Sequence, residues 1–251
     1  MSTLPVGLQL WTVRDHVAQD MHGTLERVAQ LGLQGVEFAG YAGHSPQELR
    51  GWLDAFGLRA ASVHISSQRL FEHLDEELVS AHTLGITILT CPWAQFEQDE
   101  DWLRFADRLQ DTAIRAKGAG IRIAYHNHAH ELSGLVNGQP VLDALLDRAP
   151  DVLAEIDVAW VEAGGQHAGT YLSRYAGRVP LVHLKDYRRE DSGGVQTVEL
   201  GQGQTDLGAV LGQVERAGAE WLILEQDDCP GEPFDSVAQS LAWLRQQQFL
   251  S

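Results

Sequence analysis

Eight short apolar segments alternate along the chain with eight segments of helical spacing, and this alternation restricts the fold more than any other feature of the sequence. The apolar segments are residues 6–11, 35–39, 60–66, 86–91, 121–124 with the stretch after it, 152–158, 179–185 and 221–225. The helical segments are residues 24–31, 45–57, 68–84, 99–117, 140–148, 170–175, 206–217 and 234–247. Strict alternation of this kind favours parallel strands that are joined by crossover helices.

Eight such units in 251 residues predict an α/β protein with one (β/α)8 barrel, the TIM-barrel fold, as a single domain over residues 1–251. The main alternative is an open, doubly wound sheet. No glycine-rich phosphate-binding turn follows the first strand, where the chain reads Trp11 to Asp15. Two glycine clusters, at 193–194 and 201–203, are interpreted as parts of a long loop after the seventh strand.

The balance of charge excludes one class of partner and favours another. The chain has 35 acidic and 18 basic side chains, a formal net charge of −17. Nucleic-acid affinity depends mainly on Lys and Arg, so we expect no nucleic-acid partner. A neutral small molecule or a cation suits this charge better.

The ends of the chain and its cysteines carry little further information. The N-terminus has no basic start followed by an apolar stretch, and no apolar run reaches the length of a membrane span. We therefore expect a cytoplasmic protein with no membrane partner. Cys91 and Cys229 lack the spacing of a metal finger or a disulfide framework. The oligomeric state is left open, with a homodimer as one option.

Polar side chains collect at the ends of the predicted strands, where active sites of such barrels lie. The fifth strand runs into Tyr125-His126-Asn127-His128-Ala129-His130-Glu131, and His126 and His128 share a face because strand side chains alternate. The other candidates late in their strands are Glu37, His64, Glu155, Asp157, His183, Lys185 and Glu225. Charged residues inside apolar strands are costly unless they are paired or bound to a metal.

A divalent ion is the simplest partner for part of this set. The candidate ligands are His126, Asp157, His183 and Glu225. Two imidazoles and two carboxylates suit Mn, Zn, Co or Fe(II). Mn is the first choice, and Zn, Co, Mg and Fe are the alternatives. Such an ion is a Lewis acid toward a hydroxyl or carbonyl oxygen.

Three motifs carry a resemblance to a known family: Tyr-His-Asn-His-x-His-Glu, Glu-Ile-Asp-x-x-Trp and His-Leu-Lys-Asp. With them, the chain resembles the xylose isomerase-like TIM barrel superfamily, the sugar phosphate isomerase/epimerase group, over nearly its whole length. The resemblance implies metal ligands at Asp157, His183 and Glu225. It implies a Glu at the end of strand five, where this chain has His126 instead. His128 matches a histidine that faces the substrate in relatives, and Lys185 matches a lysine that contacts substrate oxygens in some dehydratase-like members.

The predicted function is a metal-dependent isomerase or epimerase of a sugar, keto-sugar or cyclitol. The predicted catalytic groups are Glu225, which moves the proton, with His128 and Lys185. The predicted substrate-binding residues are His64, Trp11, Trp160 and Glu37, although Glu37 has a structural role as an equal alternative.

Other reactions of the same superfamily stay open. His126 in place of a glutamate breaks the symmetrical carboxylate pair that epimerases use, so a lyase such as an inosose or dehydroshikimate dehydratase, or a 3-keto-glycoside lyase, is the first alternative. A family-2 apurinic endonuclease and a non-catalytic sugar-binding protein rank lower.

Overall fold

The computed structural model describes residues 4–191 and 193–249. Its centre is a closed barrel in which each strand pairs in parallel with its neighbours in the sequence, and the last strand pairs with the first. The barrel strands are β1 (Val6–Gln9), β2 (Gly35–Phe38), β3 (Arg59–His64), β4 (Ile88–Cys91), β5 (Arg122–His126), β6 (Leu153–Asp157), β7 (Leu181–Leu184) and β8 (Trp221–Leu224). The predicted (β/α)8 barrel is confirmed.

Helices connect the strands and surround the barrel. They are Arg14–Gln19, Met21–Gln30, Pro46–Phe56, Ser67–Glu72, Leu74–Leu84, Asp99–Lys117, Ala129–Ser133, Val141–Arg148, Val158–Ala163, Ala168–Arg174, Leu207–Leu211, Val214–Ala217 and Pro233–Gln246, with a 3-10 turn at Leu10–Val13. Within the described residues, no helix is both long and apolar enough to cross a membrane.

Local sequence signals explain several helix ends. Ser45 and Glu48 form a reciprocal capping box at the start of Pro46–Phe56, and Pro46 occupies the first turn, where its missing N–H has no intrahelical partner to lose. Gly57 ends the helix with φ +68°, a left-handed conformation that glycine adopts without a steric penalty. These ends were predictable from sequence because the signals are local.

Other boundaries differ from the prediction. The predicted helix 68–84 is two helices that meet at His73, and the predicted helix 206–217 is divided between Leu211 and Val214. Trp11 lies in the 3-10 turn after β1 and not in the strand. The predicted loop after the seventh strand contains an antiparallel hairpin, Asp186–Arg189 with Val195–Val198. A second, shorter hairpin pairs Leu135–Val136 with Gln139–Pro140.

An apolar plug fills the lower part of the barrel, below the C-terminal ends of the strands. It is a cluster separate from the core between barrel and helices, and consists of Ala61, Ile88, Ala124, Leu181, Trp221 and Ile223. Gly35 leaves the space that the Trp221 ring uses, since a Cβ at Gly35 would lie 2.7 Å from that ring and 2.5 Å from the Arg59 carbonyl oxygen. The polar residues above the plug therefore have a dry, close-packed base.

Candidate metal and active site

Two fully buried carboxylates, Glu37 and Glu155, form the lowest polar layer above the plug. Glu37 Oε2 accepts a hydrogen bond from Gln9 Nε2 at 2.7 Å and lies 2.6 Å from His183 Nε2, while Ser62 donates to Oε1. Buried carboxylates are stable only when such partners satisfy them. Glu37 therefore fixes the orientation of the His183 ring and leaves Nδ1 of that ring facing upward toward Glu225, 2.8 Å away.

Glu155 holds a second set of imidazoles. Its Oε2 lies 2.7 Å from His64 Nε2, 3.1 Å from His126 Nδ1 and 3.4 Å from His183 Nε2. Thr90 donates a hydrogen bond of 3.2 Å to Oε1. The carboxylate thus ties strands β3, β4, β5 and β7 to β6 through their polar side chains.

The pKa values of the three imidazoles shift in different directions in this site. Burial lowers the pKa of His64, but the charges of Glu37 and Glu155 outweigh it and raise the pKa to about 10. The same balance, with Glu155 and Glu37 as the opposing charges, raises the pKa of His183 well above its usual value. Burial and the nearby His183 charge lower the pKa of His126 well below its usual range. His126 is therefore neutral at pH 7, which is the form that binds metals.

Four side chains from four neighbouring strands converge above this layer. One ligand atom from each of His126, Asp157, His183 and Glu225 lies within 4.8 Å of all the others. Asn127 accepts the Asp157 backbone N–H at 3.0 Å, and Asp157 Oδ1 accepts the backbone N–H of Trp160 at 3.0 Å. These contacts leave Asp157 Oδ2 directed into the cluster. The four residues predicted from sequence to bind a metal are thus brought together.

A second group of potential ligands lies just below and shares two members with the first: His64, His126, Glu155 and His183. It contains a single carboxylate, and that carboxylate already contacts three imidazoles and Thr90. We therefore regard the upper group as the better cation site.

Lys185 is completely buried beside the upper group. Its Nζ lies 2.8 Å from Asp157 Oδ2, 2.9 Å from Glu225 Oε2 and 2.8 Å from Asp227 Oδ2. Burial lowers the pKa of Lys185, but these three carboxylates raise it well above its usual value, so the ammonium stays charged. Burial alone would raise the pKa of Glu225, yet the Lys185 charge and the His183 hydrogen bond hold it well below its usual range.

A cavity of about 510 Å³ opens above the cluster at the C-terminal ends of the strands. Its lining consists of Trp11, Ala39, Gly40, His64, Pro92, Trp93, His126, His128, Glu225 and Asp227. The indoles of Trp11 and Trp93 stand at its mouth and are 48% and 47% exposed. Polar groups at the base and aromatic surfaces at the mouth suit a small polyhydroxylated ring.

His128 is held against the aromatic part of this wall. Its ring centre lies 4.6 Å from that of Trp93 and 6.0 Å from that of Trp160. Burial, followed by the Lys185 charge, lowers the pKa of His128 to about 3, so the imidazole is neutral at pH 7. A neutral imidazole both donates and accepts a hydrogen bond, as contact with a hydroxyl requires.

The cavity separates the predicted site residues into two groups. Trp11, His64, His126, His128 and Glu225 line it. Asp157 and His183 lie directly below, fully buried.

Three residues predicted to contact the substrate lie outside the cavity lining. Glu37 is fully buried beneath the imidazoles, where it holds His183. Lys185 is also fully buried, because three carboxylates hold its ammonium below the cavity surface. Trp160 lies outside the lining, with its ring 5.2 Å from Lys185 Nζ.

Sequence reasoning missed Asp227, which lines the cavity and pairs with Lys185. A signal was available, since Glu225 and Asp227 at the end of β8 have the same two-residue spacing as His126 and His128 at the end of β5. Glu131, the last residue of the Tyr125–Glu131 motif, accepts the Tyr125 hydroxyl and the His128 backbone N–H, each at 2.7 Å, and so fixes the turn after β5.

The family model described as the xylose isomerase-like TIM barrel matches residues 25–247, most of the barrel and its strand-end residues. The chain belongs to the xylose isomerase-like TIM barrel family. Its membership agrees with the resemblance that the three sequence motifs carry.

Individual members of this family show how far the similarity reaches. An inosose dehydratase of Serratia proteamaculans is 23% identical over 98% of this chain and 96% of its own length. A sugar phosphate isomerase/epimerase from Parabacteroides distasonis has the same fold, with a TM-score of 0.86 at 20% identity over 99% of this chain and all of that one. The IOLI protein with a bound zinc atom has a TM-score of 0.77 at 15% identity over 99% of this chain and all of its own.

Proposed function

We propose that the protein is a divalent-metal-dependent lyase that removes water from a small polyhydroxylated cyclic ketone of the inosose class. The observation that carries this proposal is the convergence of His126, Asp157, His183 and Glu225 at the base of the cavity. Curated relatives that match nearly the whole chain are named inosose dehydratase, which supports this reaction class.

The residues fit a divalent ion by chemistry and by geometry. Ligand atoms around a tetrahedral ion lie roughly 3.4 Å apart for bonds of about 2.1 Å, and the four candidate atoms lie within 4.8 Å of one another. Asp157 Oδ2 is buried and has no aligned hydrogen bond in the described part of the chain. His183 would have to release its Nδ1 proton to bind an ion, so binding would be coupled to proton release.

Five carboxylates surround the site, namely those of Glu37, Glu155, Asp157, Glu225 and Asp227. Lys185 and the protonated His64 and His183 supply three positive charges against them. The carboxylates outnumber these cationic side chains, which favours a dication. The nitrogen and oxygen donors suit Zn, Mn, Co or Fe. Because the IOLI protein binds zinc, Zn²⁺ should be tested first together with Mn²⁺.

When bound, such an ion supplies Lewis acidity toward a ketone oxygen and its neighbouring hydroxyl. Glu225 then acts as the base, because it faces the cavity and its pKa lies well below its usual range. It takes the proton from the hydroxyl-bearing carbon beside the ketone. The electron pair of that C–H bond forms a C=C bond while the C–O bond at the next carbon breaks. The same carboxylate returns the proton to the departing hydroxyl, which leaves as water, and the remaining enol tautomerises to a diketone.

His128 orients the substrate in this scheme. His128 reaches the cavity surface, whereas Glu131 and Lys185 are fully buried. Its neutral imidazole hydrogen-bonds a ring hydroxyl and does not need to donate a proton. Trp11 and Trp93 supply the apolar faces against which the ring carbons pack.

Elimination is favoured here over the isomerisation or epimerisation that the sequence placed first. Epimerisation requires a base on each face of the reacting carbon, whereas His126 occupies the position of one of the two carboxylates in epimerase relatives. Elimination with proton return needs one mobile carboxylate, and Glu225 meets that requirement.

Removal and return of the metal tests the proposal. Protein stripped with a chelator is expected to lose dehydration of inosose, and addition of Zn²⁺ or Mn²⁺ is expected to restore it. Mass spectrometry would detect the product as the substrate less one water. A panel of ketohexoses serves as the control for isomerisation. Turnover of a ketohexose with none of inosose, or full activity without a metal, would overturn the proposal.

Glu37→Gln is expected to weaken Zn²⁺ binding by about 10–100-fold, because the amide holds the His183 ring less firmly than the carboxylate does. Competition with a chelating dye would measure the affinity. Glu26→Gln, at an exposed position on helix Met21–Gln30, is the matched control. Unchanged affinity in Glu37→Gln would contradict an orienting role for this carboxylate.

A further inference from the structure

Lys185 contacts two of the four candidate metal ligands and one carboxylate outside that set. The contacts are 2.8 Å to Asp157 Oδ2, 2.9 Å to Glu225 Oε2 and 2.8 Å to Asp227 Oδ2. Asp157 and Glu225 belong to the metal cluster, whereas Asp227 lies at the cavity surface with 24% of its side chain exposed.

These contacts are short ion pairs between one buried ammonium and three carboxylates, with N–O distances below 3 Å. An ammonium that satisfies carboxylates in this way meets the same need as a metal ion, which also compensates charge at short range.

A divalent ion on Asp157 and Glu225 would lie close to the ammonium, in a region where water does not screen their repulsion. The two cations therefore cannot share these oxygens at full strength. Asp227 offers the ammonium an alternative, because it is not needed by the ion and its partial exposure leaves it room to move.

We propose that Lys185 competes with the metal ion for the same carboxylates, an inference that rests on the proposed metal-dependent function. It neutralises Asp157 and Glu225 when no ion is bound, and it shifts to Asp227 alone when an ion binds. Lys185 and Asp227 thereby set the metal affinity of the site, and both are positioning residues.

The lysine content of the chain makes this shift observable in the unaltered protein. The sequence contains two lysines, Lys117 and Lys185. Lys117 is 73% exposed and pairs with Asp151 at 2.9 Å. It ends the helix that leads into the N-terminal end of β5, whereas the site lies at the C-terminal ends of the strands. In protein grown with lysine labelled at the terminal carbon and nitrogen, titration with Zn²⁺ alone is expected to move the NMR signal of Lys185 and leave that of Lys117 in place.

Variants test the direction of the effect. Lys185→Met is expected to bind Zn²⁺ about tenfold more tightly than the wild type, in the range by which groups around a ligand alter metal affinity. Asp227→Asn is expected to weaken binding several-fold in the presence of Lys185, and to have no effect in the Lys185→Met background. Lys117→Met is the control and leaves affinity unchanged.

The outcomes separate this inference from the proposed function. If the wild type binds Zn²⁺ but the Lys185 signal is unmoved and Lys185→Met binds equally or more weakly, the inference is wrong while the metal site stands. If the wild type binds no ion and Lys185→Met binds one, competition is supported and the metal dependence of the native enzyme is not. If neither protein binds an ion, both proposals are wrong. If Lys185→Met does not fold, the NMR titration of the wild type with Zn²⁺ tests the inference by itself.

Discussion

Glu225→Gln is expected to lower kcat/KM for inosose dehydration by about 10²–10⁴-fold, the usual contribution of a positioned proton-transfer group. The amide keeps the size of the side chain and an oxygen that can still face the metal, but it cannot accept the proton from carbon. Its loss of charge also frees Lys185 and His183 from one partner, each of which lies within 2.9 Å of Glu225 Oε2. Steady-state kinetics at saturating metal would measure the effect.

Two controls make the result interpretable. Glu100→Gln, on the exposed side of helix Asp99–Lys117 with 85% of its side chain in solvent, should keep wild-type activity. Elemental analysis should establish that Glu225→Gln still holds its ion, since a lost ion would also abolish activity. A metal-loaded Glu225→Gln protein with more than about a tenth of wild-type activity would exclude Glu225 as the base.

Glu155→Ala is expected to lower the free energy of unfolding by about 3–5 kcal/mol, which is a large fraction of the stability of an ordinary domain. The substitution removes the carboxylate that lies 2.7 Å from His64 and 3.1 Å from His126. The protonated His64 would then be buried with Glu37 as its remaining counter-charge at 3.3 Å. Chemical denaturation followed by circular dichroism would measure the change.

An exposed ion pair provides the comparison. Glu220 accepts two hydrogen bonds from Arg122, at 2.5 Å and 2.8 Å, with 46% of its side chain in solvent. Glu220→Ala is expected to cost about 1 kcal/mol or less, because water replaces the lost partner. Equal costs for Glu155→Ala and Glu220→Ala would show that the buried network adds nothing to stability.

The barrel could be predicted because periodicity and helix ends are local properties. The capping box at Ser45 and the left-handed Gly57 are examples that need no knowledge of the rest of the chain. The division of the predicted helix at His73 depends on how the flanking helices pack. The sequence at this point contains no glycine or proline that would predict a helix end. The hairpin at Asp186–Arg189 was interpreted as a loop because two glycine clusters, at 193–194 and 201–203, follow it.

The position of a site residue around the barrel was easier to predict than its depth. Strand-end location and side-chain alternation identified His126, Asp157, His183 and Glu225. The sequence reveals neither the full burial of Glu37 nor the register shift between Val36 and Glu37 in the pairing of β2 with β3. Lys185 lies below the cavity surface because its long side chain turns toward three carboxylates.

The apolar plug that Trp221 completes against Gly35 has a kinetic consequence. With the lower end of the barrel filled, the cavity opens toward the strand ends, between the indoles of Trp11 and Trp93. Under the proposed function, substrate, diketone and released water would all use this passage, so that a product molecule still in the passage would delay the next substrate. The diketone is then expected to inhibit competitively, and its exit would limit turnover once the chemistry is fast.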